Sequence, residues 1–331
     1  MTDVTAGDPP LPPGPRQRPE AIRAVPVRHP LRWVSAIVVL GIAALVVDTF
    51  VTAKGLHWNV VGHYLFNDRI LGGAVVTLEL TAIAMIIGVS LGTLMAVMRL
   101  SANPVMSSVS WFYIWFFRGT PVLVQLWFWF NIGIILPFLN LGIPFTDIQW
   151  QGETIRIISP FLAAILGLGL NEAAYMAEII RAGLISVDHG QTEAAQALGM
   201  RRSLVMRRIV MPQAMRVIVP PTGNETISML KTSALAYICT VPELYFIQNE
   251  IALANYRVIE LLIVASFWYL VMTSVLTFFQ YYIERHYARG SVRALPPTPL
   301  QRFRHFFFQF HSPALFVEDA EPVPPAISRW G

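Results

Sequence analysis

The chain has 331 residues, of which 55% are hydrophobic and 13% charged, and its formal net charge is +4. Soluble domains carry about 25% charged residues, so this composition excludes an ordinary soluble domain and indicates that much of the surface faces lipid. A single cysteine, Cys239, excludes an internal disulfide. We expect no nucleic acid partner, because no basic, aromatic-bearing soluble module is present.

Continuous apolar runs predict an all-α integral membrane protein, because in lipid only helices and closed barrels satisfy their own backbone hydrogen bonds. A helix needs roughly 20 apolar residues to cross a bilayer, and six runs of about that length are present. The six predicted transmembrane helices cover residues 33–53, 71–98, 120–139, 158–180, 217–241 and 259–283.

The two ends of the chain differ from its apolar middle. Residues 1–32 are rich in proline and arginine, and we expect a disordered cytoplasmic tail, since such a sequence cannot bury a core. Residues 286–331 are the predicted cytoplasmic C-terminal tail. The run 33–53 exceeds the length of a signal-peptide core, so we expect a retained N-terminal helix; cleavage after Ala53 is the alternative.

A shorter aromatic segment precedes the third span. It covers residues 104–118 and is bracketed by Pro104 and Arg118. We predict an interfacial helix that leads into the third span, and one long helix from 107 to 139 is the alternative.

Arginine placement predicts the topology. Five arginines precede the first span and six lie between residues 181 and 216, whereas Arg156 is alone in the loop 140–157. Six more lie from Arg285 to Arg329. Because positively charged loops stay in the cytoplasm, we expect both termini and the loop 181–216 on the cytoplasmic side.

A polar stretch separates the fourth and fifth spans. Residues 193–198 are strong helix formers, and Gly199 stands where a left-handed residue ends a helix. Residues 203–210 predict a second short helix, and Pro212 does not fit a helix interior. The two helices make an elbow on which Ala194 and Ala195 present a shallow surface to another protein. An ordinary amphipathic loop is the alternative.

Four segments resemble the permeases of polar amino acid ABC importers, the histidine/glutamine-type family, over roughly residues 70–285. They are residues 118–126, which open with Arg-Gly-Thr-Pro, and residues 175–181, 190–212 and 230–235. The loop segment carries Glu-Ala-Ala, then Gly199, and closes on an isoleucine, two apolar residues and Pro212. Thr232, Ala234 and Met211 depart from the family's pattern.

The resemblance implies a five-helix type I ABC importer permease core at residues 70–285, plus one additional N-terminal transmembrane helix. It implies a multi-pass protein of the bacterial cytoplasmic (inner) membrane that moves a polar amino acid into the cytoplasm by alternating access. The implied partners are a cytoplasmic ABC ATPase dimer, an extracytoplasmic amino-acid-binding protein, a second permease subunit, identical or related, and the surrounding lipid. The coupling loop at 186–212 is implied to bind the ATPase through Gly190, Gln191, Glu193, Ala194, Ala195, Leu198, Gly199, Arg202, Ile209 and Pro212.

The sequence predicts no ATPase activity of its own. A phosphate-binding loop requires a lysine directly after a glycine, and the two lysines, Lys54 and Lys231, follow other residues. No metal-binding spacing is present either. We therefore expect a protein that is not an enzyme and binds no cofactor, with ATP and magnesium on the partner ATPase.

Polar residues inside the spans are the candidates for substrate contact, because such groups are costly in lipid and mark function. Each has a structural alternative: Glu178 can pair with Arg181, Asn171 can join helices, and Lys231 can extend to the interface. Glu79, Glu172 and Glu225 are further intramembrane acids. The predicted substrate pathway consists of Gln125, Asn171, Tyr175, Glu178, Asn224, Lys231 and Ser233.

Pro220, Pro221 and Gly223 predict either a broken helix that exposes backbone to a ligand or a simple kink.

Two other function classes remain possible at this point. An ion-coupled secondary amino acid transporter usually shows internal repeats, which are not evident. A membrane anchor or signalling subunit leaves the intramembrane polar residues unexplained.

Overall fold

The structure is a computed structural model that describes residues 30–142 and 149–287. The helices are α1 (Pro30–Thr52), α2 (Trp58–Leu65), α3 (Asp68–Arg99), α4 (Pro104–Gly119), α5 (Val122–Phe130), α6 (Ile132–Ile135), α7 (Thr154–Ile157), α8 (Pro160–Ile185), α9 (His189–Ala197), α10 (Arg202–Val205), α11 (Met211–Thr232), α12 (Leu244–Asn255) and α13 (Val258–Tyr287). A π-helical turn (Met206–Val210) precedes α11, and a 3₁₀ helix (Ser233–Cys239) follows it. Strands β1 (Phe138–Gly142) and β2 (Gln149–Glu153) pair antiparallel, with Phe138 opposite Glu153.

The chain divides into two units. One comprises residues 51–296 and contains α2 to α13, and the other comprises residues 1–50 and 297–331. Within the described residues, four helices are long and apolar enough to cross a membrane: Trp33–Thr52, α3, α8 and α13. The predicted tails, apart from residues 30–32 and 286–287, lie outside the described residues.

Helices α3 and α8 form the centre of the larger unit, and glycines set their distance. A Cβ added at Gly92 would lie 2.6 Å from the Cβ of Met176, and one added at Gly88 would lie 2.5 Å from the Cγ of Glu172. Small residues allow helices in membranes to approach closely. These two glycines therefore fix the separation and rotation of α8 against α3.

The third predicted span, 120–139, is not one continuous helix. Thr120 and Pro121 separate α4 from α5, so the alternative of a single helix from 107 to 139 is wrong. The backbone turns again at Asn131 and enters β1 after Pro137. Proline disfavours the helical conformation in the residue before it, which explains why α4 ends before Thr120 and α6 ends before Leu136. The β-hairpin was not predicted.

The helix that carries Pro220 and Pro221 is not broken there. It runs from Met211 to Thr232 and passes directly into the 3₁₀ helix, so it begins six residues before the predicted start of the fifth span, residue 217. Thr222 donates its hydroxyl to the Ile218 carbonyl at 2.8 Å. The alternative of a helix broken at the prolines is therefore wrong.

A buried carboxylate joins α3, α12 and α13. Glu243 is fully buried and accepts hydrogen bonds from the backbone N–H groups of Tyr245 and Phe246 at 2.9 and 2.7 Å, which caps α12. The Tyr269 hydroxyl on α13 donates to the same carboxylate at 3.0 Å. On α3, the Thr77 hydroxyl accepts from the Leu244 N–H at 3.1 Å. The connection between α11 and α13 is thereby held at three points.

Candidate functional site

The loop between α8 and α11 contains a helix with well-defined ends. The Asp188 side chain accepts from the Gly190 N–H at 2.6 Å and begins α9. Gly199 has φ +75°, and Met200 N–H donates to the Ala195 carbonyl at 3.1 Å while Gly199 N–H donates to Gln196 at 2.9 Å. This is the Schellman arrangement, in which a left-handed glycine lets the last carbonyls find partners. The predicted elbow geometry at Gly199 is confirmed.

The elbow is attached to the membrane helices through its apolar side. Ala195 is only 3% exposed and packs in the same core cluster as Val205 and Val210. The expectation that Ala195 offers a surface to a partner is therefore wrong, because it lies on the helix face that anchors the loop. Leu198, 83% exposed, and Ala194 lie on the outer side instead.

The remaining loop candidates follow the same division between inside and outside. Ile209 is half-buried and packs against the core cluster, and Pro212 stands in the first turn of α11, where its missing N–H costs nothing. The exposed candidates on the outer surface are Gly190, Gln191, Glu193 and Arg202, together with Arg207 and Arg208.

A second polar region forms where α4 ends against α8. The last carbonyls of a helix have no partner within it, and the Phe117 carbonyl accepts from Asn171 Nδ2 at 2.8 Å and from Gln125 Nε2 at 2.9 Å. Gln125 Nε2 also reaches the Thr120 hydroxyl at 2.7 Å. The Arg-Gly-Thr-Pro segment is thus held by two amides from two helices.

This fixed segment presents Arg118 to the polar face of α8. The Arg118 guanidinium carbon lies 5.2 Å from the Tyr175 ring centroid, within cation–π range. Glu225 on α11 interacts electrostatically with Arg118 and also with Glu172 on α8. Arg118, Glu172, Tyr175 and Glu225 therefore form one cluster of two carboxyls, one guanidinium and one phenol, which we call the α8 polar cluster.

Two buried oxygens beside this segment lack partners. Glu172 is 3% exposed and Gln125 is 5% exposed, yet Oε1 of each has no hydrogen-bond partner among the described residues. Buried acceptors are normally paired. Each of these oxygens can accept a hydrogen bond from an N–H or O–H donor.

The other predicted pathway residues lie elsewhere. Glu178 pairs with Arg181 at 2.7 Å, which is the structural alternative considered for it. Ser233 donates to its own helix at the Leu230 carbonyl, and Lys231 is exposed. Asn224 contacts Gln280 on α13 at 2.9 Å. Of the seven predicted residues, Gln125, Asn171 and Tyr175 come together.

Sequence reasoning did not give Arg118 a site role, although it belongs to the Arg-Gly-Thr-Pro segment. Glu172 and Glu225 were among the intramembrane residues considered for substrate contact, although the predicted pathway set does not include them. The feature that points to Glu172 lies on another helix. Gly88 on α3 has no side chain, and the Glu172 side chain occupies the space that this leaves.

Comparisons with known proteins agree on one class. A sequence profile of the family described as "Binding-protein-dependent transport system inner membrane component" matches residues 88–289. The chain is 46% identical over 303 residues to an arginine transport system permease protein of Corynebacterium glutamicum, covering 91% of this chain and 92% of that protein. It is 37% identical to a nopaline transport system permease protein of Agrobacterium fabrum, covering 63% and 83%.

Solved structures give the same result. An amino acid ABC transporter crystallised with histidines matches with a TM-score of 0.56 and 36% identity, covering 66% of this chain and 94% of that chain. The MetNI methionine ABC transporter in an inward-facing conformation matches with a TM-score of 0.52 and 20% identity, covering 67% and 97%, and this likeness concerns the fold alone.

Proposed function

The chain belongs to the family of binding-protein-dependent inner membrane transport components, and we propose that, as the permease of an amino acid ABC importer, it carries a cationic amino acid into the cytoplasm. The observation that carries this proposal is the unpartnered Oε1 of buried Glu172, on the same helix as Tyr175, whose ring lies against Arg118.

The α8 polar cluster has the complementary charges for such a substrate. Its two carboxyls, Glu172 and Glu225, match the two cationic groups of an arginine-like amino acid, and Arg118 matches the α-carboxylate. The free Oε1 of Gln125 can accept one further N–H. A relative named for arginine transport, 46% identical over 303 residues, supports the same substrate class.

The elbow between α8 and α11 is the proposed coupling loop. Its exposed outer surface bears Glu193, Ala194 and Leu198, while Ala195 and Val205 anchor it to the membrane helices. We propose that a cytoplasmic ATPase dimer docks on this outer surface, and that its closure moves α8 and α11 together. ABC importer permeases act with an ATPase and a substrate-binding protein, so ATP binds to the partner.

The proposed topology has six crossings with both termini and the elbow in the cytoplasm. The helices α1, α3, α8 and α13 supply four crossings by length and composition. We propose that α5 with α6 makes the third crossing and α11 with its 3₁₀ extension the fifth. A second permease subunit completes the proposed assembly, as in a type I ABC importer.

Uptake in proteoliposomes tests the substrate. The permease is reconstituted with its ATPase and binding protein, and uptake of labelled arginine is compared with that of glutamine in the presence and absence of ATP. We expect ATP-dependent arginine uptake, and we expect Glu172→Gln to raise the KM for arginine about tenfold to a hundredfold, because a charge-assisted hydrogen bond is worth about 1.5–3 kcal/mol. Glu250→Gln, which removes an exposed carboxylate paired with Arg69 at 2.8 Å, is the matched control. An unchanged KM in Glu172→Gln contradicts the proposed substrate contact.

A further inference from the structure

A groove of about 650 Å³ lies between α3, α8, α11 and α13, and it is separate from the α8 polar cluster. Aliphatic and aromatic side chains and four methionines line it: Met176, Met206, Met211 and Met215. Methionine is flexible and adapts to irregular apolar shapes. The groove therefore suits a flexible apolar occupant.

The few polar groups in the groove already have partners. The hydroxyls of Thr93 and Thr226 donate to backbone carbonyls of their own helices at 2.6 and 2.9 Å, as does that of Thr222. The Gln280 amide donates to Asn224 Oδ1 at 2.9 Å and to Glu284 Oε1 at 2.6 Å. The hydroxyl and amide donors of the groove thus have partners, and no charged side chain in the described part of the chain lines it for the ammonium and carboxylate of an amino acid, which distinguishes it from the site around Glu172.

A second cavity of about 440 Å³ lies at one end of the groove and is cationic. It shares Met211 and Met215 with the groove and is also lined by Arg216 and His286, at the beginning of α11 and the end of α13. Within residues 30–142 and 149–287, neither Arg216 nor His286 forms an ion pair. The nearby acid Glu284 accepts a hydrogen bond from Gln280. Together the two cavities form an apolar groove that opens at one end into a positively charged cavity. We call this cavity, lined by Arg216 and His286, the mouth.

We propose that the groove and its mouth bind one anionic phospholipid of the cytoplasmic leaflet, with an acyl chain along the methionines and the phosphate at Arg216 and His286. Basic pockets between transmembrane helices on the cytoplasmic side are suited to anionic headgroups. The inference rests on the topology proposed above, which places the mouth on the cytoplasmic side.

The groove is longer than one leaflet is thick. On α11 the lining extends from Met211 to Ile227, about 24 Å at 1.5 Å per residue, whereas half of the hydrocarbon core is about 15 Å. An acyl chain therefore fits with its headgroup at the mouth.

The lining also favours lipid over a helix from a second copy. Helix–helix contacts in membranes use small residues that let backbones approach, and the walls here carry large side chains such as Phe279 and Ile283, with Gly223 as the one glycine. An apolar transmembrane helix packed in the groove would place no negative charge against Arg216 in the mouth. Both features point to an amphipathic occupant.

Native mass spectrometry of the purified importer complex tests the proposal, with phosphatidylglycerol and phosphatidylcholine as competing probes. We expect one phosphatidylglycerol retained per permease chain with at least tenfold preference. The double variant Arg216→Gln/His286→Gln should lose the preference, whereas Arg201→Gln, an exposed arginine that lines neither cavity, should keep it. Equal retention of the two lipids by the unaltered protein, or a preference that survives the double variant, overturns the proposal.

The apolar part is tested with Val219→Trp, which fills the groove wall. We expect both lipids to be lost while the complex stays assembled. The proposal is overturned if the variant retains phosphatidylglycerol. It is also overturned if the two permease subunits dissociate and no lipid is released, a result that assigns the groove to contact with another copy of the chain. Arginine uptake is measured in parallel: absent uptake with normal lipid retention counts against the proposed function alone.

Discussion

Gly88 determines how much room the Glu172 side chain has. A Cβ added at this position would lie 2.5 Å from Glu172 Cγ and 3.0 Å from Glu172 Cβ, whereas ordinary contact begins near 3.4 Å. Gly88→Ala therefore forces the carboxylate or the α8 backbone to move by about 1 Å. Inserting a methyl group into a packed interior costs about 1–3 kcal/mol.

The expected result is a lower melting temperature and a higher KM for arginine uptake, because the displaced carboxyl no longer faces the substrate. Gly169→Ala is the matched control in the same helix pair, since the three atoms nearest to its Cβ would all belong to Ile87, the closest at 3.1 Å. It should lower the melting temperature with little effect on KM.

A double variant separates packing from substrate binding. Gly88→Ala/Glu172→Ala removes the Cγ at 2.5 Å but keeps the Cβ at 3.0 Å, so we expect stability to recover in part while uptake stays impaired. The reasoning is refuted if Gly88→Ala keeps the KM of the unaltered protein despite a lower melting temperature, or if the double variant regains transport.

Three further predictions concern the elbow and the α12 cap. Gly199→Val should reduce ATPase binding, because a left-handed conformation at φ +75° costs a residue with a side chain about 1–2 kcal/mol. Gly199→Asn should retain more ATPase binding than Gly199→Val. Equal co-purification of the ATPase with both variants contradicts this prediction. Glu193→Arg should weaken ATPase co-purification with no change in thermal stability. Glu153→Arg, which makes the same charge change on β2, should leave co-purification unchanged. Normal ATPase yield from Glu193→Arg counts against docking at the elbow. Glu243→Ala should lower the melting temperature more than Tyr269→Phe does. The reason is that it removes both the tyrosine contact and the cap of α12, and a cap is worth about 0.5–2 kcal/mol. Equal decreases in the two variants argue against the cap.

Local sequence signals predicted much of the helical framework. The apolar runs at 71–98 and 259–283 correspond to α3 and α13, because length and apolarity alone select a helix in lipid. Gly199 could be placed because only glycine takes a left-handed helix end without steric cost. The hairpin of β1 and β2 escaped prediction, since its strands contain none of the β-branched residues that favour strands.

The candidate site depended on contacts between distant segments. Glu172 and Glu178 lie on the same helix, and nothing local distinguishes them; α8 buries Glu172 against Gly88 and leaves Glu178 to pair with Arg181. Likewise Ala194 and Ala195 are identical neighbours, but the rotation of α9 exposes one and buries the other.

By itself, the sequence determined which segments are apolar, where helices must stop and which loop carries charge, because these follow from the chemistry of neighbouring residues. Only the tertiary structure decided that Gln125 and Asn171 meet at the Phe117 carbonyl, and that Glu172 is left with a buried, unpartnered oxygen. The physical reason is that helix rotation is set by close packing between helices far apart in the chain, and a rotation of one residue changes which polar group faces the interior.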